Sequence, residues 1–146
     1  VKVSMRGDYG VRALIDLAQN YGNGTVQSSD IAERQHIPAP YLDQLLTVLR
    51  KAGFINSRRG PQGGHELAKD PRQINLAEVI EALEGSMSPI ACLDGAMECY
   101  FSSSCAQQEI WATITAKIRS VLEDTTIRAL AERQNSFKQS RVMYHI

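Results

Sequence analysis

Cys92, Cys99 and Cys105 are the only thiols of a 146-residue chain, and all three fall in one polar stretch, ACLDGAMECYFSSSC. An odd, clustered set in a chain read as cytosolic does not make a disulfide framework, so metal ligation or redox chemistry is the leading reading. The spacing C-x6-C-x5-C is neither the paired C-x2-C of zinc ribbons nor a ferredoxin pattern, and by itself specifies no particular centre. Three soft sulfurs on a loop can nonetheless wrap an iron-sulfur cluster, which commonly wants a fourth ligand; Asp94 and Glu109 are nearby oxygen donors. The competing reading packs each cysteine as a small hydrophobe.

A second chemistry lies upstream. Net charge is zero, but residues 1–72 carry 10 Lys/Arg against 7 Asp/Glu, and the remainder 6 against 9. Arg50, Lys51, Arg58 and Arg59 fall together with no acid between Gln44 and His65, a pattern that suits phosphate contacts. A solvated basic face is the plain alternative, and the elements around the cluster decide between them. His36, His65 and His145 read as structural or exposed.

Those elements follow from period and punctuation. Residues 7–21 place Val11, Leu14, Ile15, Leu17 and Ala18 on one helical face, and GNG turns the chain. SSDIAERQ reads as a short helix capped by Ser28 or Ser29. Pro38 and Pro40 interrupt it, and Pro40 opens PYLDQLLTVLRKA, with Leu42, Leu45, Leu46 and Leu49 facing the core and Tyr41, Asp43, Gln44, Thr47, Arg50 and Lys51 turned largely outward. FINS and HELA flank RRGPQGG as a β-hairpin with two arginines at its tip. Helix, helix, polar-faced helix and basic hairpin is the order of a winged helix-turn-helix, whose second helix of the pair enters the major groove while the wing follows the backbone or the minor groove.

INLAEVIEALEG predicts a further helix ending at Gly85. After the cysteines, AQQEIWATITAKIRSVLED carries Ile110, Trp111, Ile114, Ile118, Val121 and Leu122 at helical period, a stripe long enough to call for a partner chain. Residues 126–134 predict one more short helix, and the tail from Asn135 shows no period and is expected to fray. The fold expected is mainly α with a small β-hairpin wing: a winged helix-turn-helix domain over 1–85, a cysteine loop over 86–105, dimerisation helices over 106–134 and a flexible tail over 135–146. The composition, 43 % apolar and 22 % charged, is that of a folded protein. No run approaches the roughly 18 apolar residues of a membrane span and no secretory leader pattern opens the chain, so a cytoplasmic protein is expected, without a membrane partner.

SMRGDYGVRALIDLA, DIAERQHIPAPYLDQLLTVLRKAGFINSRRGPQGG and the three spaced cysteines together resemble the Rrf family of bacterial winged-helix regulators, and within it the iron-sulfur members IscR, NsrR and RirA. The resemblance runs from Lys2 to about Arg133. It implies a homodimer held by the long helix, bound to double-stranded operator DNA as a repressor, with one cluster per subunit on Cys92, Cys99 and Cys105. It implies readout by Tyr41, Asp43, Gln44 and Arg59; Gln44 suits adenine, Asp43 cytosine N4 and Arg59 a guanine edge or a narrow minor groove. Arg50, Lys51 and Arg58 are left for phosphates.

The IscR-like fourth ligand, a histidine three residues after the last cysteine, is absent: Gln108 stands there. The NsrR-like alternative is an aspartate from the opposite subunit, which falls on Asp8 in DYGVRAL. Its plain reading is an acid complementing the helix dipole. Three Cys and one carboxylate favour [4Fe-4S] slightly over [2Fe-2S]. Two other functions stand beside this one: a zinc-binding or thiol-switch regulator of the same fold, and a small iron-sulfur electron carrier. No nucleophile-base pair or phosphate-cradling glycine motif speaks for an enzyme.

Overall fold

The computed structural model describes residues 2–95, 98–101 and 103–144. Helix α1 (Met5–Gln19) begins at Ser4, whose extended backbone and Oγ, accepting from Arg6 N at 3.2 Å, satisfy one of the free N–H groups of the first turn. Its inner face buries Ala13, Leu14, Leu17 and Ala18. At Gly10 it lies so near the later helix α4 (Leu76–Glu84) that a Cβ would stand 2.4 Å from the Leu83 Cδ1.

Helix α2 (Ser28–Gln35) differs from expectation at its start. The cap is Gln27, not Ser28 or Ser29; Ser28 is already helical, and the Gln27 side chain is spent elsewhere, donating to the Gly63 carbonyl at 2.6 Å. His36, left-handed at φ 53°, ends the helix, and the chain turns into α3 (Ala39–Lys51), with Pro40 in the first turn where its missing N–H costs nothing. Leu42, Leu45, Leu46 and Leu49 are all buried, as the four-residue rhythm requires.

Strands β1 (Ile55–Arg58) and β2 (Gly64–Leu67) pair antiparallel, Ile55 opposite Leu67 and Arg58 opposite Gly64. An isolated bridge between Val26 and His65 gives the hairpin a third, one-residue edge. Gly64 needs its lack of a side chain: its φ is +141°, and a Cβ would stand 2.6 Å from the Val26 carbonyl oxygen.

Helix α4 is capped by the Asn75 side chain, which accepts from Glu78 N at 3.0 Å, and ends at Gly85. The cysteine loop follows, with a 3-10 turn at Ala91–Asp94, and leads into α5 (Ala106–Glu123). Helix α5 lies against α4, where Arg119 pairs with Glu81, yet none of its eighteen residues is buried. The chain then returns to the core: Asn75 and Thr126 form a bridge, with Leu76 N donating to Thr125 O at 2.8 Å and Ile127 N to Ile74 O at 2.9 Å.

Helix α6 (Ile127–Tyr144) runs well past the short helix expected over 126–134. Ile127 and Ala131 are buried in the common core, and Gln19 Nε2 donates to Asn135 Oδ1 at 2.8 Å. The part from Asn135, expected to lack regular structure, is helical as far as Tyr144; His145 and the last residue lie outside the described residues. No Gly or Pro follows Gly95 to stop a helix, and Arg, Gln and Lys favour it. Because Phe137, Val142 and Met143 are exposed, there was no buried stripe to leave a period in the sequence. No helix among the described residues is long and apolar enough to cross a membrane.

One core joins α1, α2, α3, the hairpin, α4 and the start of α6 around Leu14, Leu17, Ile31, Leu42, Leu49 and Ile127. The architecture is mainly α with a two-stranded wing, as the sequence predicts.

Candidate nucleic-acid interface and thiol loop

The two predicted chemistries occupy different parts of the molecule. On α3, Asp43, Gln44, Arg50 and Lys51 are exposed, opposite the buried leucines. Thr47 Oγ1 donates to the Asp43 carbonyl at 3.0 Å. Tyr41 is only half-exposed: its ring meets Tyr9 of α1 edge to face at 5.7 Å, so one side of it belongs to the packing between α1 and α3.

Arg58 and Arg59 are exposed at the end of β1 and in the turn after it. Arg58 reaches Glu66 on β2 at 3.3 Å, a surface pair that gives way readily to a phosphate. The stretch before α2 holds the wing's far side: Thr25 Oγ1 donates to the carbonyls of Gln62 and Gly63, each at 3.1 Å, and Gln27 to Gly63. Behind the strands, Ser57 Oγ and His65 Nδ1 are 2.8 Å apart. Burial holds the His65 imidazole below its ordinary pKa, partly offset by the attraction of Asp43.

Several residues that set this geometry went unremarked in the sequence. Asp16, buried among helices, accepts from Arg34 Nε at 2.9 Å, Arg34 Nη2 at 2.8 Å and Gln35 Nε2 at 3.0 Å, which ties α1 to α2 just before the turn into α3. Glu84, at the end of α4, accepts through Oε1 from Ser4 N, Ser4 Oγ and Gly7 N at 2.9, 2.6 and 3.0 Å, closing the first turn of α1. Those bonds hold the Glu84 carboxyl below its usual range. The Ser4 and Glu84 pair spans 80 residues, so no local pattern reveals it.

Asp8 lies in the first turn of α1, where the dipole reading places it, but its carboxylate is engaged: Arg12 Nε and Nη2 donate to its two oxygens at 3.0 and 2.9 Å. The i, i+4 spacing of Asp8 and Arg12 is the signal that could have found this pair. Arg12 Nη1 also approaches the Gln35 carbonyl at 3.4 Å, and the guanidinium stands 5.3 Å from the Tyr9 ring centre.

In the loop, Cys92 and Cys105 are half-buried and Cys99 is exposed, and none is in a disulfide. Among the described residues no three His, Cys, Asp or Glu side chains converge to hold a metal ion, so the structure places the thiols on one loop without gathering them into a centre. Asp94 accepts from Ser86 Oγ at 2.6 Å, and its hydrogen bonds with Ser86 and then Ser88 lower its pKa. Glu109 is exposed in the first turn of α5, and Gln108 is half-buried. Three soft sulfurs on one segment suit iron, and the common cluster types would call for a fourth ligand beside them.

The comparisons agree with the fold. Residues 3–133 match the family described as "Rrf2: Iron-dependent Transcriptional regulator". The IscR regulator of Cronobacter sakazakii is 36% identical over 134 residues, covering 92% of this chain and 82% of that protein. The structure of CymR (YrzC), the global cysteine regulator of B. subtilis, superposes with a TM-score of 0.79 at 34% identity, over 91% of this chain and 98% of that one. The structure of T. potens IscR gives 0.76 at 39% identity, over 92% and 88%. These relatives are regulators of transcription rather than enzymes, and their winged-helix fold is the one described above. The chain belongs to the Rrf2 family of DNA-binding transcriptional regulators.

Proposed function

We propose that this chain acts in the cytoplasm as a homodimeric repressor on double-stranded operator DNA, and that Cys92, Cys99 and Cys105 hold an iron-sulfur cluster whose presence sets operator affinity. The observation that carries this reading is the placement of three thiols, none in a disulfide, between the winged-helix unit and helix α5, in a chain whose family is described as iron-dependent.

In this reading, Gln44, Asp43, Arg59 and the free edge of Tyr41 face base edges, while Arg50, Lys51 and Arg58 fix the protein on phosphates and make binding salt-dependent. The proposed fourth ligand is Asp8 of the second copy, which favours [4Fe-4S] over [2Fe-2S]. To serve, Asp8 must release Arg12, so ligation competes with a bidentate ion pair. When bound, a cluster supplies an oxygen-labile link among its ligands. The loop fixes where α5 starts, and α5 fixes the distance between two recognition helices; paired half-sites are read only when that distance matches about 34 Å, one turn of DNA.

Likeness to CymR, the global cysteine regulator of B. subtilis, supports a second reading, in which the same thiols bind zinc or act as a plain thiol switch. An electron carrier would leave the basic wing without a use. Anaerobic purification with iron and sulfide quantitation, followed by operator binding with and without the cluster, separates these. Iron and sulfide with a cluster-dependent change in affinity bear out the first reading. Zinc alone, or affinity that follows thiol oxidation in metal-free protein, replaces it with the second.

A further inference from the structure

The segment that enters α2 is joined to the turn of the wing by side chains. The Gly63 carbonyl accepts from both Gln27 Nε2 at 2.6 Å and Thr25 Oγ1 at 3.1 Å, and the same hydroxyl reaches the Gln62 carbonyl at 3.1 Å. Gly63 is buried and packs on the backbone that carries the wing's arginines: a Cβ there would stand 2.2 Å from the Arg58 carbonyl oxygen and 2.8 Å from the Arg59 carbonyl carbon. Gln27 meanwhile caps α2 with its main chain alone. Its carbonyl accepts from Asp30 N at 3.1 Å and Ile31 N at 3.3 Å, while its side chain makes no capping bond. One residue thus holds the start of the helix-turn-helix through its backbone and the turn of the wing through its amide.

We infer that Gln27, with Thr25, is a positioning residue for DNA readout that fixes Arg59 of the wing relative to the recognition helix α3; the inference rests on the proposed contact of Arg59 with a base edge or a narrow minor groove. Arg59 is exposed in the turn, so the backbone beneath it sets where its guanidinium can reach. Every turn conformation left open in the free protein is lost on binding and weakens it. Two side-chain donors on one carbonyl remove that freedom before DNA arrives, as a supporting shell does for any contact that must be held in place.

The frame continues to α3 through the single turn at His36, so the segment before α2 is where the wing and the recognition helix share a support. The backbone bridge between Val26 and His65 and the pairing of β1 with β2 involve neither side chain. Loss of the Gln27 and Thr25 contacts should therefore loosen the turn that bears Arg59 and leave the hairpin paired.

The test uses the anaerobically purified full chain and a duplex that it selects from a random-sequence pool, with the preference at each base pair read from substituted duplexes at fixed salt. Arg59→Ala and Gln44→Ala first mark the base pairs read by the wing and by α3. Gln27→Met, which keeps the length and lacks the donor, and Thr25→Val should then lower the preference at the wing's base pairs about threefold to tenfold, as loss of one or two hydrogen bonds does, and leave it unchanged at those of α3. Thr25→Ser should behave as the native chain. Gln27→Met should lower affinity for the selected duplex in the native background and not beside Arg59→Ala, since the two act through one contact. Preferences that fall equally at both sets of base pairs, preferences that do not change, or an affinity loss that persists in full without Arg59 overturn the positioning role. If Arg59→Ala alters no preference, the wing reading itself fails and the inference falls with it.

Discussion

Helices α1 to α4 and the return into α6 bury a continuous set of side chains, from Ala13 to Ala131, whereas α5, as long as any helix in the molecule, buries none. The first region closes its own core, with the buried Asp16 satisfied by Arg34 and Gln35. The second leaves Ile110 60% and Val121 66% exposed and joins the rest mainly along α4. The contrast separates a winged-helix unit that closes its own core from a long helix that leaves its apolar stripe largely in solvent. The two regions meet along α4, where Arg119 of α5 pairs with Glu81.

The largest test of this contrast is a pair of truncations. Leu42→Ala, fully buried in α3, should cost about 2–5 kcal/mol in chemical denaturation. Val121→Ser, measured on the monomer, should stay within about 0.5 kcal/mol. Equal losses would show that α5 is part of the monomer's core and would break the comparison.

An intermediate effect is expected within the first region, where α4 meets the start of α1. Glu84→Ala removes three accepted hydrogen bonds from the start of α1 and should cost about 0.5–2 kcal/mol, the range of a lost helix cap. Because the folded carboxyl lies below its ordinary value of 4.5, the unfolded chain binds more protons there. The stabilisation is therefore present above about pH 4.5 and is lost as pH falls through the folded value. Denaturation midpoints of the native protein and the variant should converge in acid; a gap independent of pH would assign Glu84 a packing role only.

The smallest effect in stability terms sharpens the reading unit. Arg50→Ala and Lys51→Ala should leave folding unchanged within about 0.5 kcal/mol, since both are exposed, and each should reduce the slope of log affinity against log salt by about 0.9 on operator DNA. A variant that weakens binding without changing the slope contacts no phosphate.

Much of this was legible in the amino-acid order because it rests on local rules. The leucines of α3 repeat at helical spacing, the glycines and Pro61 between FINS and HELA mark the wing, and Gly85 marks the end of α4. What escaped was of two kinds. Contacts between distant segments, Ser4 with Glu84 or Asp16 with Arg34, leave no period because each partner is a single polar residue. Helix α6 beyond Asn135 carries propensity without a buried face, so it folds as helix while showing no stripe. The thiols were legible as a group; the arrangement of their sulfurs was not, because a loop's geometry depends on what it encloses.

The bridge between Asn75 and Thr126 bears on how such a regulator can change over time. It makes everything between those residues a ring closed at its base by two backbone hydrogen bonds. Lengthening a closed loop is inexpensive, each doubling adding only about 0.6 kcal/mol. The cysteine segment can therefore change its length and spacing without disturbing the winged-helix core, which makes it an exchangeable insert on a fixed frame.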